Sequence, residues 1–445
     1  MTCARFLAIV ITISGLALVG CGSVSPNQPV PDAFVWLDAT PPECDQGQTT
    51  CIDGNFYHCV LGEWSLNRVC TEPCDPHDGC PGDLPPPADL SFIWVANTGE
   101  STLSKIDTRE EVEVARYMTC PDSYCDPSRT SVNRYGDAVV TNRDAFPSSL
   151  TKFAANPKDC VDRNDNGTIE TSTGPTDVLA WGSDECMIWH SVLPVDVNQT
   201  THGARATAWD GQEDQYTGLG GHIWVGTCNW GMGNNFVYKV NGDTGEIDDH
   251  VVIPDLGCAY GGAVDGLGNF WIIDPWGSMT GLISLWQLEM DGMWPTQRTV
   301  QCGYGITVDS QNRVWSGGNM TCASRYDPLL EVEDVANIPA GMFPRGIAAG
   351  VAKSEGYVWQ VDDGMLFKIN EETLVVEASY PISGMDTIGV AVDYEGYVWV
   401  VSQGSSQVYK FDPDTETYIT INVGMGPYTY SDMTGVQLRN VVPVD

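Results

Sequence analysis

Two sets of residues in this chain have the types and spacing to do chemistry. The first is Asp162-Arg163-Asn164-Asp165-Asn166-Gly167-Thr168-Ile169-Glu170. Oxygen-bearing side chains at positions one, three and five, glycine at six and isoleucine at eight match the opening of an EF-hand-type loop, in which a hard cation collects oxygens around a tight turn. Position twelve is Thr173 and not the usual glutamate. The expected ligands are therefore Asp162, Asn164, Asn166, Thr168 and Glu170, with Asp177 or water able to finish the shell, and the expected ion is calcium. An Asx-rich turn tied down near Cys160 is the alternative.

The second set is Arg129, Arg205, Tyr260, Tyr304 and Arg345. These residues sit at or just before the first position of successive copies of a repeat, in a series that reads Ser128, Arg205, Tyr260, Tyr304, Arg345, Ile388 and Thr434. Arginine offers planar donors suited to carboxylate, phosphate or sulfate, and tyrosine adds flat apolar area with a hydroxyl. Such a ring predicts a binding site for an anionic ligand, or else mere neutralisation of nearby aspartates. Histidines carry less: His190, His202, His222 and His250 are scattered, and none follows His250. No serine-nucleophile motif, phosphate loop or paired-carboxylate signature stands out.

The repeat that must position these residues is clearest at Gly389 to Thr417. Gly389-Val390-Ala391-Val392 reads as a short buried strand and Asp393-Tyr394-Glu395-Gly396 as a turn whose carboxylate caps backbone N–H groups. Tyr397-Val398-Trp399-Val400-Val401 and Val408-Tyr409-Lys410-Phe411 read as two further strands, with a fourth after Asp412-Pro413-Asp414-Thr415. Four short antiparallel strands in about forty residues make one blade of a propeller. The second-strand tryptophans Trp224, Trp271, Trp315, Trp359 and Trp399 follow one another at 47, 44, 44 and 40 residues, and Trp94 precedes them by 130. That interval holds one further blade, with strands at Tyr135–Thr141, Leu150–Phe153 and Glu185–His190, and an insertion over about 156–184. The total is seven blades over 91–445. Blade one lacks a leading strand while Gly435-Val436-Gln437-Leu438-Arg439-Asn440 is an orphan, so the C-terminal segment is expected to complete blade one and close the ring.

The Gly-x-x-x-Asp-x-x-Gly-x-x-Trp-Val pattern of Gly389 to Val400, with variants from Gly261 and Gly305, resembles that of streptogramin lyase and related NHL- or YVTN-type propellers. The resemblance covers about Phe92 to Val442 and implies the fold. For the lyases it also implies ester opening by elimination, with histidine and glutamate bases and a magnesium ion near the channel. Those enzymes carry Trp-Phe-Thr-Glu where this chain has Trp399-Val400-Val401-Ser402, and the later blades hold no histidine. The expectation is thus non-catalytic binding at the channel mouth, with a lyase or hydrolase acting in the same pocket as the alternative.

Ahead of the propeller, Arg5 and an apolar run from Phe6 to Val19 end in Leu18-Val19-Gly20-Cys21, which resembles a bacterial lipobox. This predicts a signal peptide at 1–20, a lipid on Cys21, and an outer-membrane-anchored lipoprotein facing periplasm or cell surface, touching membrane only through that anchor. A Pro-rich tether spans 21–43, a cysteine-rich module 44–80 and a second Pro-rich linker 81–90. The module's Cys44, Cys51, Cys59, Cys70, Cys74 and Cys80 predict three disulfides, because so few large apolar residues cannot hold a core unaided; zinc with His58 or His77 is the alternative. In the propeller, proximity pairs Cys120 with Cys125, Cys160 with Cys186, Cys228 with Cys258 and Cys302 with Cys322. With 21 Lys and Arg against 59 Asp and Glu, the formal charge of −38 repels nucleic-acid backbones. The expected partner is an envelope protein or a small anionic ligand, and the expected state a monomer.

Overall fold

Six of the seven blades are organised by a tryptophan at the centre of the second strand; blade two, with Ala138–Asn142 there, has none. Trp94, Trp224, Trp271, Trp315, Trp359 and Trp399 are all fully buried. Opposite the last five, the first strand places a small residue, Ala208, Ala263, Thr307, Ala348 and Ala391 respectively, which leaves room for the indole. In blades four, five and seven the indole N–H donates to the aspartate of the preceding turn: Trp271 to Asp265 at 2.8 Å, Trp315 to Asp309 at 2.7 Å and Trp399 to Asp393 at 2.7 Å. The other carboxylate oxygen of Asp393 accepts the N–H groups of Glu395 and Tyr397, each at 3.0 Å. One side chain therefore closes the turn and fixes the core ring of the next strand.

The computed structural model describes residues 90–441, apart from 123, 144–146, 195–202, 230–233, 277–281, 290–292, 319–320 and 340–343, together with three earlier strands. Those strands, Thr49–Ile52, Asn55–Val60 and Glu63–Val69, form an antiparallel sheet within the cysteine-rich module. Cys51 is disulfide-bonded. The expected leader, Cys21, the tether, the linker and the remaining cysteine pairings of the module lie outside the described residues.

The rest is an all-β, seven-bladed propeller. Six blades are four-stranded antiparallel sheets whose innermost strands are Pro127–Val132, Gly203–Trp209, Gly261–Val264, Gly305–Val308, Ile347–Ala349 and Thr387–Val392. Neighbouring innermost strands approach closely at their starts: Gly305 N–H donates to Arg345 C=O and Gly346 N–H to Ile388 C=O, both at 3.0 Å. A Cβ on Gly305 would lie 2.5 Å from the Arg345 carbonyl oxygen, and one on Gly389 only 1.7 Å from that of Thr429. Glycine is needed there for contact between strands rather than for a turn. Blade two takes its fourth strand from Met187–Val192, after the insertion. Disulfides join Cys120 to Cys125, Cys160 to Cys186, Cys228 to Cys258 and Cys302 to Cys322, the pairings that proximity suggested.

Blade one has three regular strands, Phe92–Asn97, Thr102–Asp107 and Val112–Met118. The segment beside Phe92–Asn97 is Pro427 to Met433: Tyr428 N–H donates to Ala96 C=O and Trp94 N–H to Met433 C=O, both at 2.9 Å. The expected strand at Gly435 to Asn440 is instead a one-and-a-half-turn helix, Val436–Val441, entered through Gly435 at φ +74°. The reason is in the preceding residues. Asp432-Met433-Thr434-Gly435 is the repeat's Asp-x-x-Gly turn, with Asp432 accepting the N–H groups of Thr434, Gly435 and Val132, so the strand must come before it. Leu438 and Val441 of the helix join the buried core cluster that also holds Val264 and Val308 of the inner strands.

Ending the chain at Gly424 removes five buried apolar side chains, Tyr430, Met433, Val436, Leu438 and Val441. At about 2 kcal/mol each this is roughly 10 kcal/mol, comparable to the whole stability of a domain. The truncated protein should lose cooperative thermal unfolding; a calorimetric transition at an unchanged temperature would show that the segment does not close the ring.

Candidate functional site

The innermost strands all begin at one end of the channel, and there the structure gathers the predicted arginines and tyrosines. Tyr260, buried to 3% exposure, donates its hydroxyl to Tyr304 at 2.5 Å. The guanidinium carbons of Arg129 and Arg205 each lie 4.9 Å from the Tyr260 ring centre. Arg345 is near but differently employed, since its guanidinium is ion-paired with Asp386. That residue has the neutralising role the sequence left open, whereas Arg129 pairs with no carboxylate among the described residues.

Four further residues complete the cluster. Tyr428 and Tyr430 come from the closing segment, where the sequence reading had placed Thr434. The Tyr428 hydroxyl lies 2.8 Å from that of Tyr260 and 3.0 Å from that of Tyr304, so three phenol oxygens form a triangle. Tyr430 lies flat against Arg129, 3.3 Å from guanidinium carbon to ring centre. Arg143 lies 4.7 Å from the Tyr428 ring and is ion-paired with Asp126 at 2.8 Å. Trp276 meets the Tyr260 ring edge-on at 4.6 Å. The missed tyrosines had a signal: Tyr428-x-x-x-Asp432-x-x-Gly435 is the repeat with tyrosine in the first glycine's place, just as Arg129-x-x-x-Asn133-x-x-Gly136 is the repeat with arginine there.

Arg129 is the electrostatic centre of the site. It is fully buried, and of its three nitrogens only Nη1 has an acceptor, the Ser128 carbonyl at 2.9 Å; Nε and Nη2 have none. No carboxylate pairs with it among the described residues. Burial pulls its pKa down, to about 9, against the opposing pull of the neighbouring phenols, so it remains a cation at neutral pH. The tyrosines divide. Burial raises Tyr260 well above the ordinary phenol value and Tyr304 to about 12. For Tyr428 burial also acts upward, but Arg129, the hydroxyls of Tyr260 and Tyr304, and Arg205 together outweigh it and bring the phenol down to about 8. A buried cation ringed by hydroxyl donors is an oxyanion receptor in chemical terms.

The histidines lie elsewhere. His222 bridges Asp210 and Asp248, each at 3.2 Å, and the Asp210 bond raises its pKa. It opens the strand His222–Cys228, whose other end faces the mouth, about 20 Å away at the rise of a strand. There it occupies Asp210 where other blades use the indole N–H; Trp224 Nε1 accordingly has no partner. His190 is held near Thr151 Oγ1 at 2.9 Å, and burial lowers it to about 4. His250 is exposed on the rings of Phe236 and Tyr238, and His202 lies outside the described residues. A small cavity further down the channel, lined by Ile306, Val390, Asp432, Thr434 and Asn440, does not reach the mouth tyrosines.

The loop from Asp162 also converges. Asp162 accepts the N–H groups of Gly167 at 2.8 Å and Asn166 at 3.2 Å, and Glu170 accepts the amides of Asn166 at 2.7 Å and Asn164 at 2.8 Å, which lower its pKa. Gly167 at φ +80° makes the turn. Below it, Glu185 accepts the N–H groups of Arg163 and Glu170, and the Cys160–Cys186 bridge pins the base. The carboxamide oxygens are themselves engaged, Asn164 Oδ1 accepting the Asn166 N–H at 3.1 Å and Asn166 Oδ1 the Thr168 N–H at 2.7 Å, which is the geometry of an Asx-rich turn. Among the described residues no group of three or more His, Cys, Asp or Glu could hold a metal, so any ion here would depend on those carboxamides.

No protein-family profile matches the chain, and no curated protein matches it. Solved structures do. A streptogramin B lyase structure shares 16% identity at a TM-score of 0.46, covering 70% of this chain and 87% of that one. A catalytically inactive virginiamycin B lyase from Staphylococcus aureus with quinupristin shares 14% at 0.42, covering 53% and 76%. Apo AztD from Citrobacter koseri shares 11% at 0.43, covering 76% and 96%. Identities and scores this low carry no statement about what this chain binds.

At the turn end of the channel, Glu213 is buried to 1% exposure, accepts the Arg134 N–H at 2.6 Å, and is pushed up by burial to about 7. A carboxyl raised above its unfolded value, about 4.3, contributes stability that is complete below that value and lost as pH rises through the folded one. Chemical denaturation should therefore show a decline of roughly 3 kcal/mol between those limits. Glu213→Gln should abolish it; the same decline in the variant would assign it to another group.

Proposed function

We propose that this chain is a lipid-anchored, monomeric protein of the bacterial cell envelope whose propeller binds, without transforming it, a ligand or partner-protein segment carrying an anionic oxygen group at the channel mouth. The observation that carries this reading is Arg129: a fully buried guanidinium with two unsatisfied nitrogens and no carboxylate partner among the described residues. Leaving a buried cation uncompensated costs several kcal/mol. An oxyanion entering between Tyr304 and Tyr428, the two partly exposed members of the phenol triangle, would supply the missing charge and acceptors. Arg205 and Tyr260 border the same space. Arg345, committed to Asp386, shapes the rim.

Binding is favoured over catalysis by what surrounds that charge. The described residues of the mouth are arginines, phenols, an indole and two aspartates, Asp126 and Asp386, each committed to an arginine, and the histidine that meets two carboxylates is at the other end of its strand. The alternative, a lyase or hydrolase in the same mouth, would need a base there that remains ionised at working pH.

Sulfate tests the reading. At equal ionic strength it should raise the melting temperature of the wild type relative to chloride, by mass action on the folded state. Arg345→Ala should keep most of that gain. Arg129→Met should lose it, while melting no lower than the wild type without sulfate, because a buried uncompensated charge has been removed. Equal sulfate effects in wild type and Arg129→Met would exclude this mouth as the anion site.

The Asp162 loop supports a second, structural part of the proposal: calcium held by Asp162, Asn164, Asn166, the Thr168 carbonyl and Glu170, stiffening the blade-two insertion. Isothermal titration with calcium should show one site in the wild type and none in Asp162→Ala; absence of heat in the wild type removes calcium from the account.

A further inference from the structure

Arg129 has a rival for the charge of any ligand, and it is within the protein. The triangle of Tyr260, Tyr304 and Tyr428 hydroxyls holds three protons and three short oxygen–oxygen contacts of 2.5, 2.8 and 3.0 Å. When neutral, each hydroxyl can donate once and accept once around the ring. If one proton leaves, the oxygen that lost it accepts two hydrogen bonds from the other two. Tyr428 is placed to be that oxygen. Its ring lies 5.6 Å from the Arg129 guanidinium and 4.7 Å from that of Arg143; the Tyr260 ring is nearer Arg129, at 4.9 Å, but Tyr428 is the more open to solvent, where the proton must go.

Building on the anion-binding reading above, we infer that the Tyr428 phenolate and a ligand oxyanion are alternative partners for one positive charge: the mouth takes its ligand while Tyr428 is protonated, and ionisation of Tyr428 ejects it. In the bound state the retained Tyr428 proton faces the ligand as a further donor. On release at higher pH that proton goes to solvent and the phenolate balances Arg129. The balance is one proton for one ligand charge.

The groups facing Tyr428 from each neighbouring element agree with this. Arg129, from the innermost strand of blade two, has no carboxylate partner among the described residues. Arg143, from the same blade, is neutralised by Asp126, and Arg345, from blade six, by Asp386. Arg205 from blade three adds positive potential, Tyr260 and Tyr304 from blades four and five supply the two donors, and Tyr430 on its own strand reaches it at 3.5 Å. No carboxylate among the described residues is hydrogen-bonded to the triangle. These opposing influences put the first phenol ionisation at about 8, at Tyr428, while Tyr304 stands near 12. Affinity for an anion should then be flat below about 8 and fall about tenfold per pH unit above it.

Tyrosinate difference absorbance and sulfate calorimetry together test this on the intact chain. The free wild type should show one tyrosine ionising near 8, and saturating sulfate should move that step upward. Tyr428→Phe, which gives up one donor to the ligand, should lack the step and bind sulfate more weakly at neutral pH, yet keep that affinity to higher pH, until Arg129 itself titrates near 9. Tyr304→Phe, which removes one donor to the phenolate, should raise the midpoint without abolishing the step. Sulfate binding that is identical in pH dependence for wild type and Tyr428→Phe, or a low-pH tyrosine step that survives in Tyr428→Phe, overturns the exchange while leaving the anion site standing. Failure of the wild type to bind sulfate at neutral pH overturns the site and the exchange with it.

Discussion

The carboxylate that closes the first turn of a blade and receives the indole N–H of the next strand is the interaction on which the rest of the propeller depends. Asp265, Asp309 and Asp393 each tie a turn to a fully buried tryptophan, and Asp432 makes the same turn in the closing segment without a following tryptophan. The cost of burying these carboxylates is visible in Asp393 and Asp432, whose pKa values burial raises against the hydrogen bonds that hold them. The acidic character of the chain is in part this scaffold chemistry. Where the tie is altered, other residues take its place: in blade three Asp210 turns to His222, and in blade two Asp137 accepts the Ala155 N–H and lies 3.4 Å from the Lys152 ammonium.

A second constraint acts at the opposite end of the same strands. Innermost strands of neighbouring blades touch through their first residue, where Gly261, Gly305, Gly346 and Gly389 leave no room for a side chain. Blade three keeps the position small with Ala206, but two neighbouring blades put a large side chain there, Arg129 in blade two and Tyr428 in blade one. Their side chains go into the mouth and meet there, with Tyr430 stacked beneath Arg129. The binding chemistry and the closure of the ring thus share one segment. Any substitution that loosens the closing strand will also displace two of the four mouth tyrosines.

This explains how much could be read in advance. The blades were legible because their tryptophans recur at near-constant spacing and each must be buried between β-branched neighbours. The propeller cysteines were legible because local spacing restricts what they can reach. The closing segment was misread because the pattern was sought by its glycine. In Tyr428 to Gly435 only the aspartate and the second glycine remain, and Val436 to Asn440 carries enough apolar residues to pass for a strand. Reading by the turn aspartate, the residue that does the structural work, would have placed Tyr428 and Tyr430 at the mouth. Arg345 shows the converse limit: its position was legible, but its pairing with Asp386 depends on a side chain 41 residues away that no local pattern links to it.

The mouth's positive charge lies inside a chain of formal charge −38. At long range that field repels an anion rather than steering it, and it is screened within about 10 Å at ordinary salt. Recognition must then come from short-range, desolvated contacts: the open nitrogens of Arg129, the phenol donors, and the aromatic faces of Tyr260, Tyr304 and Trp276. On the anion-binding proposal the site takes a small oxyanion such as sulfate through these donors and gains further from a ligand that adds apolar area for the rings. On that proposal the ligand class that uses every part of the mouth is an aromatic or aliphatic acid, with inorganic sulfate filling its oxyanion position alone.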